Sequence, residues 1–169
     1  MINFVKQDLT TSDADYICHQ VNCQGAMNSG VAKAIRGKWP IVYAKYLEAW
    51  QSAPRRLQLL GTILPVDVNP TIINMFSQEH YGYDGKRYTS YDAFWSCLGH
   101  IKETISKGSK IAFPYKIGCD RGGANWNVIF TMIKEVFEEN YNVEFCYLEE
   151  DNWINSYIIT NLPKYKEEM

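Results

Sequence analysis

Short apolar runs alternate with amphipathic stretches along most of the chain. Residues 2–5 and 16–21 are runs of the kind that form buried strands. Residues 29–36 and 41–50 carry helical spacing. Trp39-Pro40 divides them, because the residue before a proline is pushed out of the helical region. Two β-rich runs, 61–67 and 71–76, are separated by Asn69-Pro70. Helical periodicity returns over 91–106, and "KIAFP" at 110–114 reads as a short buried strand. Trp126, Ile129, Ile133 and Val136 mark one face of a further helix, and residues 143–148 close the series as a strand.

The late β-α-β-α-β order predicts an α/β fold with parallel strands and helices packed on both faces of the sheet. In such sheets ligands bind beyond the carboxyl ends of the strands. That rule selects the loop after Val21, the segment after Phe76 and the loop after Pro114.

The third of these, "PYKIGCDRGGANW" at 114–126, holds Gly118, Gly122 and Gly123 and leads into the helix that begins near Asn125. Glycines followed by a helix N-terminus make an anion site, most often for phosphate, although the sequence is neither GxGxxG nor a Walker loop. A glycine-rich turn with no ligand is the other reading. The first, "CHQVNCQGAMNSGVAKAI" at 18–35, repeats the strand–glycine loop–helix pattern, with Gly30 and Val31 at the helix start. On neighbouring parallel strands the two loops would face each other across one cleft. A diphosphate fits between them, and Asn22 at the strand end is placed to hydrogen-bond a sugar hydroxyl.

Composition narrows the classes. The 169 residues are 46% hydrophobic and 21% charged, enough for one domain to bury a core unaided. A formal net charge of −2 gives no global basic field for nucleic acid or an anionic membrane. No targeting segment and no apolar run of 18 residues is present, so a cytoplasmic protein is expected. The five cysteines are odd in number and without CxxC spacing. They point to reduced thiols and away from a disulfide framework or a zinc ribbon, and no metal or cofactor is expected.

"QDLT" (7–10), "HQVNCQGAMNSGVAKAI" (19–35), "NMFSQEHYGYDGKRYTSYDAF" (74–94) and "PYKIGCDRGGANW" together resemble a macro domain. The resemblance is strongest to the ADP-ribose-1''-phosphate phosphatases and terminal ADP-ribose glycohydrolases. It implies a three-layer α/β/α fold with a mixed, mostly parallel central sheet. It also implies a single domain over 1–169, with a core of about 2–148 and an extension at 149–169. The implied ligand is ADP-ribose or a 1''-substituted derivative, with no nucleic acid and no membrane as partner. By the same resemblance Asp8 would accept from the adenine amino group with Leu9 beside it, and Asn22 would contact the distal ribose. Gly30 and Val31 would line one side of the diphosphate, and Ile117, Gly118, Cys119 and Asp120 the other. Tyr147 would pack near the adenine or serve as an ordinary core or rim tyrosine.

Two departures stand out. Where the glycohydrolases carry a lysine nucleophile this chain has Ser77 and Gln78, and their catalytic aspartate falls near Gly122 here. Asn22, His19 and Asp120 are therefore the catalytic candidates. A histidine at this strand end suits general acid–base work; the other reading is a buried histidine bonded to a neighbouring strand. His80 is a candidate for the distal pocket or an exposed loop residue. Two functions remain open: hydrolysis of a 1''-substituted ADP-ribose, or capture of ADP-ribose without turnover. The tail after Asp151 includes "KYKEEM", which reads as a charged, frayed end.

Overall fold

The computed structural model describes residues 1–161. Six strands run β1 (Ile2–Lys6), β2 (Tyr16–Val21), β3 (Ile63–Asp67), β4 (Thr71–Phe76), β5 (Lys110–Pro114) and β6 (Asn142–Tyr147). The helices are α1 (Gly30–Lys38), α2 (Pro40–Ser52), α3 (Tyr91–Thr104), α4 (Trp126–Phe137) and α5 (Asn152–Asn161). The strands form one sheet in the order β1-β6-β5-β2-β4-β3. Every pairing is parallel except β3 with β4, which is antiparallel. The mixed, mostly parallel sheet expected from the sequence is what forms. Pro65 lies in β3 at the sheet edge, where its missing N–H costs no ladder bond.

Because strand side chains alternate between faces, each central strand feeds two cores. Ile17 and Val21 of β2 join Ile72 and Phe76 of β4 beneath Val42 and Tyr46 of α2. Cys18, Ile73 and Met75 face the other way, under Phe94 and Leu98 of α3 and Ile129 and Ile133 of α4. The result is three layers, α1–α2 on one face and α3–α4 on the other. Pro40 opens α2 directly after Trp39 ends α1, the break its position predicts. On α4 the buried stripe is Trp126, Ile129, Phe130, Ile133 and Phe137; the expected Val136 is half-buried beside it.

The segment after Asp151 continues in regular structure. It forms α5, whose Trp153 and Tyr157 stack on each other at 5.4 Å and pack against Phe4 and Phe130. "KYKEEM" lies outside the described residues. Among the described residues no helix is long and apolar enough to cross a membrane.

One irregularity of the sheet matters most for function. β2 and β5 pair only at Tyr16 with Ile111 and Ile17 with Ala112. Beyond that point four residues of β2 and two of β5 run on without pairing each other, and β5 ends in a proline that has no N–H to donate. The sheet is split at its carboxyl end.

Candidate functional site

A cavity of about 420 Å³ opens at that end of the sheet. Its walls come from three connections: Asn22, Gly30 and Val31 from β2–α1; Gln78, Tyr81 and Tyr83 from β4–α3; and Ile117, Gly118 and Arg121 from β5–α4.

The first wall ends in a helix start without a side-chain cap. Ser29 occupies the N-cap of α1 but makes no capping hydrogen bond. The N–H groups of the first turn have no acceptor inside the helix, so they stay available to a ligand. Gly30 sits at φ +58°, and a Cβ placed on it would meet nothing within 4 Å.

The opposite wall is packed tightly. Gly118 sits at φ +76°, and a Cβ there would approach Gln20 Oε1 and Thr89 Oγ1 to 3.1 Å. At Gly122 the clash would be worse, 2.3 Å from Thr89 Oγ1 and 2.4 Å from the Gly118 carbonyl oxygen. α4 does not supply the open donors expected of it. The Asn125 side chain accepts from the Asn127 N–H at 2.9 Å, and no residue of α4 lines the cavity. The loop backbone itself forms this wall.

A side-chain network replaces the missing ladder between β2 and β5. Gln20 Nε2 donates to Gln78 Oε1 at 2.6 Å and to Thr89 Oγ1 at 2.9 Å, while Gln20 Oε1 accepts from Ser77 Oγ at 2.7 Å. Thr89 Oγ1 donates in turn to the Gly118 carbonyl at 2.8 Å. The N–H groups of Tyr88 and Thr89 both reach the Gly122 carbonyl, at 2.8 and 2.9 Å. One strand and two loops are fixed to each other by these bonds, so the cleft is held open at a set width.

Comparison with known proteins gives this geometry a context. The chain is 25% identical over 149 residues to a DNA ADP-ribosyl glycohydrolase of Thermus aquaticus, covering 85% of this chain and 40% of the relative. It thus spans about two fifths of the length of the curated relatives it matches. It is similar in structure to the macrodomain of Thermus aquaticus DarG, with a TM-score of 0.70 at 23% identity over 89% of this chain and 99% of that one. A Thermosipho africanus DarTG solved in complex with ADP-ribose matches with a TM-score of 0.69 at 19% identity, over 89% of this chain and 42% of that one. No protein-family model matches.

The chain folds as a macrodomain.

Of the residues expected at the site of this macrodomain, Asn22, Gly30, Val31, Ile117, Gly118 and Asp120 line the cavity together. Asn22 is held at both ends of its amide. Nδ2 donates to the Ala26 carbonyl at 3.0 Å, and Oδ1 accepts from the Gln24 N–H at 2.9 Å and the Tyr46 hydroxyl at 2.8 Å. An amide nitrogen has two N–H groups, so one remains for a ligand. Asp120 is exposed, and its carboxylate has no hydrogen bond or ion pair among the described residues.

Asp8, Leu9 and Tyr147 stand apart, at the carboxyl ends of β1 and β6, and do not line the cavity. The Asp8 carboxylate accepts from Thr10 Oγ1 at 2.6 Å and from the Thr10 N–H at 2.8 Å. These bonds, the hydroxyl first, hold its pKa below the usual carboxylate value. Leu9 is buried in the core beneath α1 and α2. Tyr147 is half-buried, its ring edge-on to Tyr115 at 6.4 Å. Cys119 is also absent from the lining. Its thiol points to the Ile117 carbonyl at 3.4 Å, and burial pushes its pKa up to about 11.

His19 does not reach the cleft. It shares a sheet face with Ile17 and Val21 and is buried opposite Asn74. Asn74 Nδ2 donates to the Leu64 carbonyl, so its Oδ1 faces the imidazole and accepts from Nε2 at 2.6 Å. Nδ1 is buried with no partner among the described residues. Burial lowers the pKa to about 4, so the ring is neutral at physiological pH, and it does not line the cavity. His80 is exposed beside Glu79 and lines no part of the cavity.

The residues that sequence reasoning passed over are Gln20, Thr89, Tyr115 and Arg121. Gln20 is adjacent to His19, and the period-2 alternation of β2 is the signal that separates them. The Tyr115 hydroxyl and Lys116 Nζ both bond Asp151, each at 2.9 Å, which fixes the loop after β5 from below.

Proposed function

We propose that this macrodomain binds ADP-ribose across the strand ends and hydrolyses the bond to a 1'' substituent. The adenine would lie towards Asp8 and Tyr147, the diphosphate between Gly30–Val31 and Ile117–Gly118, and the distal ribose against Asn22. The observation that carries the reading is the α1 N-terminus, free of a side-chain cap, facing a glycine loop across the split between β2 and β5. A relative named a DNA ADP-ribosyl glycohydrolase and a structural neighbour solved with ADP-ribose support it.

Ser77 and Gln78 are bound into the network at the place where the resembled glycohydrolases use lysine. The nucleophile in this reading is therefore water. Water attacks C1'' as the Asp120 carboxylate accepts its proton; the bond from C1'' to the substituent breaks, and the substituent leaves with the electron pair. The remaining Asn22 N–H orients the distal ribose, and the loop N–H groups stabilise charge as it develops. His19 has no part in the step, because its imidazole lies beneath the sheet.

Incubation with ADP-ribose-1''-phosphate, followed by measurement of released phosphate, tests the reading directly. Asn22→Ala and Asp120→Asn should each lower kcat more than they weaken binding. One observation favours the second reading, capture without turnover. Among the lining residues Asp120 is the single carboxylate, and it stands exposed with nothing to orient it. Tight binding of ADP-ribose with no phosphate release by the wild type would decide for that reading.

A further inference from the structure

The cavity wall carries two cations, and they differ in what they already hold. Lys116 is engaged by Asp151 at 2.9 Å. Arg121 has no carboxylate within ion-pairing distance among the described residues, its neighbour Asp120 included. What it does have is an aromatic platform: its guanidinium carbon lies 4.4 Å from the centre of the Tyr83 ring. Tyr83 comes from the β4–α3 connection and Arg121 from the β5–α4 connection, so the pair spans the mouth of the cleft.

Stacking occupies the face of a guanidinium and leaves its in-plane N–H donors free. A guanidinium held over a ring, with no hydrogen bond or ion pair of its own among the described residues, is matched to a phosphate, which can accept two parallel hydrogen bonds from its fork. Position narrows the phosphate further. The sheet order sets β1 and β6 at one end of the row of strand ends, and β2 and β4 towards the other. With the adenine towards Asp8 and Tyr147, the Tyr83 loop stands at the far end, beyond the distal ribose.

We infer that Arg121, steadied by Tyr83, is a specificity-determining residue that recognises a phosphate carried at the 1'' position. The inference rests on the ADP-ribose reading of the cavity and adds to it which substituent this wall selects. Arg121 contacts the substituent, not the diphosphate, which the backbone donors of Gly30 and the loop after β5 hold.

The test compares two ligands in four proteins. Calorimetric affinities for ADP-ribose and for its non-hydrolysable 1''-phosphonate are measured with the wild type, Arg121→Ala, Tyr83→Ala and Tyr83→Phe. Arg121→Ala should weaken the phosphonate about ten-fold, the scale of a charge-assisted bidentate contact, and ADP-ribose less than about two-fold. Tyr83→Ala should lose part of the same selectivity, and Tyr83→Phe, which keeps the ring, should retain it. Equal weakening of both ligands by Arg121→Ala would mean that the guanidinium serves the diphosphate. No weakening of either would mean that it is a solvated rim charge. Each result overturns the inference while leaving the ADP-ribose reading intact. A wild type that binds neither ligand removes both.

Discussion

His19 makes stability depend on pH in a way that can be calculated. An unfolded chain titrates the imidazole near 6.5, whereas burial, only partly offset by the bond to Asn74, lowers it to about 4 in the folded protein. Between those values the unfolded state binds a proton that the folded state does not. Stability from this group is therefore fully present above pH 6.5 and is lost as pH falls towards 4. At 1.36 kcal/mol per pH unit the complete loss is about 3 kcal/mol, and about 2 kcal/mol is already gone at pH 5. That is a large share of the 5–15 kcal/mol, roughly, that keeps a domain folded. His19→Gln keeps a donor for Asn74 Oδ1 but cannot titrate. Urea unfolding of both proteins at pH 7.5, 6 and 5 isolates the histidine, because the other carboxylates and histidines are common to both and cancel in the difference. The wild type should lose about 2 kcal/mol more than His19→Gln between pH 7.5 and pH 5. Stability curves that stay parallel over that range would show that the imidazole is accessible to protons in the folded state. The case against His19 as a buried, neutral residue would then be established.

The fold was readable because apolar pattern and breakers agreed. β2, β4 and β5 occupy the very residues expected, since each run is bounded by polar or turn-forming positions. The run expected over 61–67 begins only at Ile63, because Gly61 takes φ +88° in a turn closed by the Thr62 hydroxyl on the Leu59 carbonyl. α5 was missed because its own sequence signals helix weakly. Trp153 and Tyr157 dock it on an aromatic cluster built from Phe4 and Phe130, which no local pattern reveals. At the site, the glycine loops were visible as loops, and Gly30 and Gly118 do line the cavity. The network that sets their spacing was not visible, because Gln20 meets Gln78 and Thr89 from 58 and 69 residues away. His19 left two readings open for a related reason, and the buried one, bonded to Asn74 of the neighbouring strand, is what forms. Alternation says that His19 and Gln20 face opposite ways, but only the packing of α1 and α2 says which face is closed.

The remaining predictions concern the ligand and the glycines. ADP-ribose should bind with micromolar-scale affinity, about −8 kcal/mol, and Asp8→Ala should weaken it by about 1–3 kcal/mol, the range of a hydrogen bond to a charged group. Unchanged calorimetric affinity would remove Asp8 from the adenine site. Gly118→Glu should abolish binding through steric block and charge repulsion while the far-ultraviolet circular dichroism stays native; retained binding by the folded variant would place the diphosphate elsewhere. Alanine at Gly30 and at Gly122 should separate two kinds of cost. Gly30→Ala meets open space, so only its positive φ is strained, at about 1–2 kcal/mol. Gly122→Ala drives a Cβ to 2.3 Å from Thr89 Oγ1 and 2.4 Å from a backbone oxygen that cannot rotate away. Relief requires the loop to move, which disrupts the Gln20–Thr89 and Thr89–Gly118 bonds at about 1 kcal/mol each and adds overpacking strain. The total is about 3 kcal/mol, or a fall in Tm of about 6–12 °C for a chain of this size. A Gly122→Ala protein that melts within about 2 °C of the wild type would mean that the network does not hold the cleft at a fixed width. The rigid diphosphate cradle would then lose its physical basis.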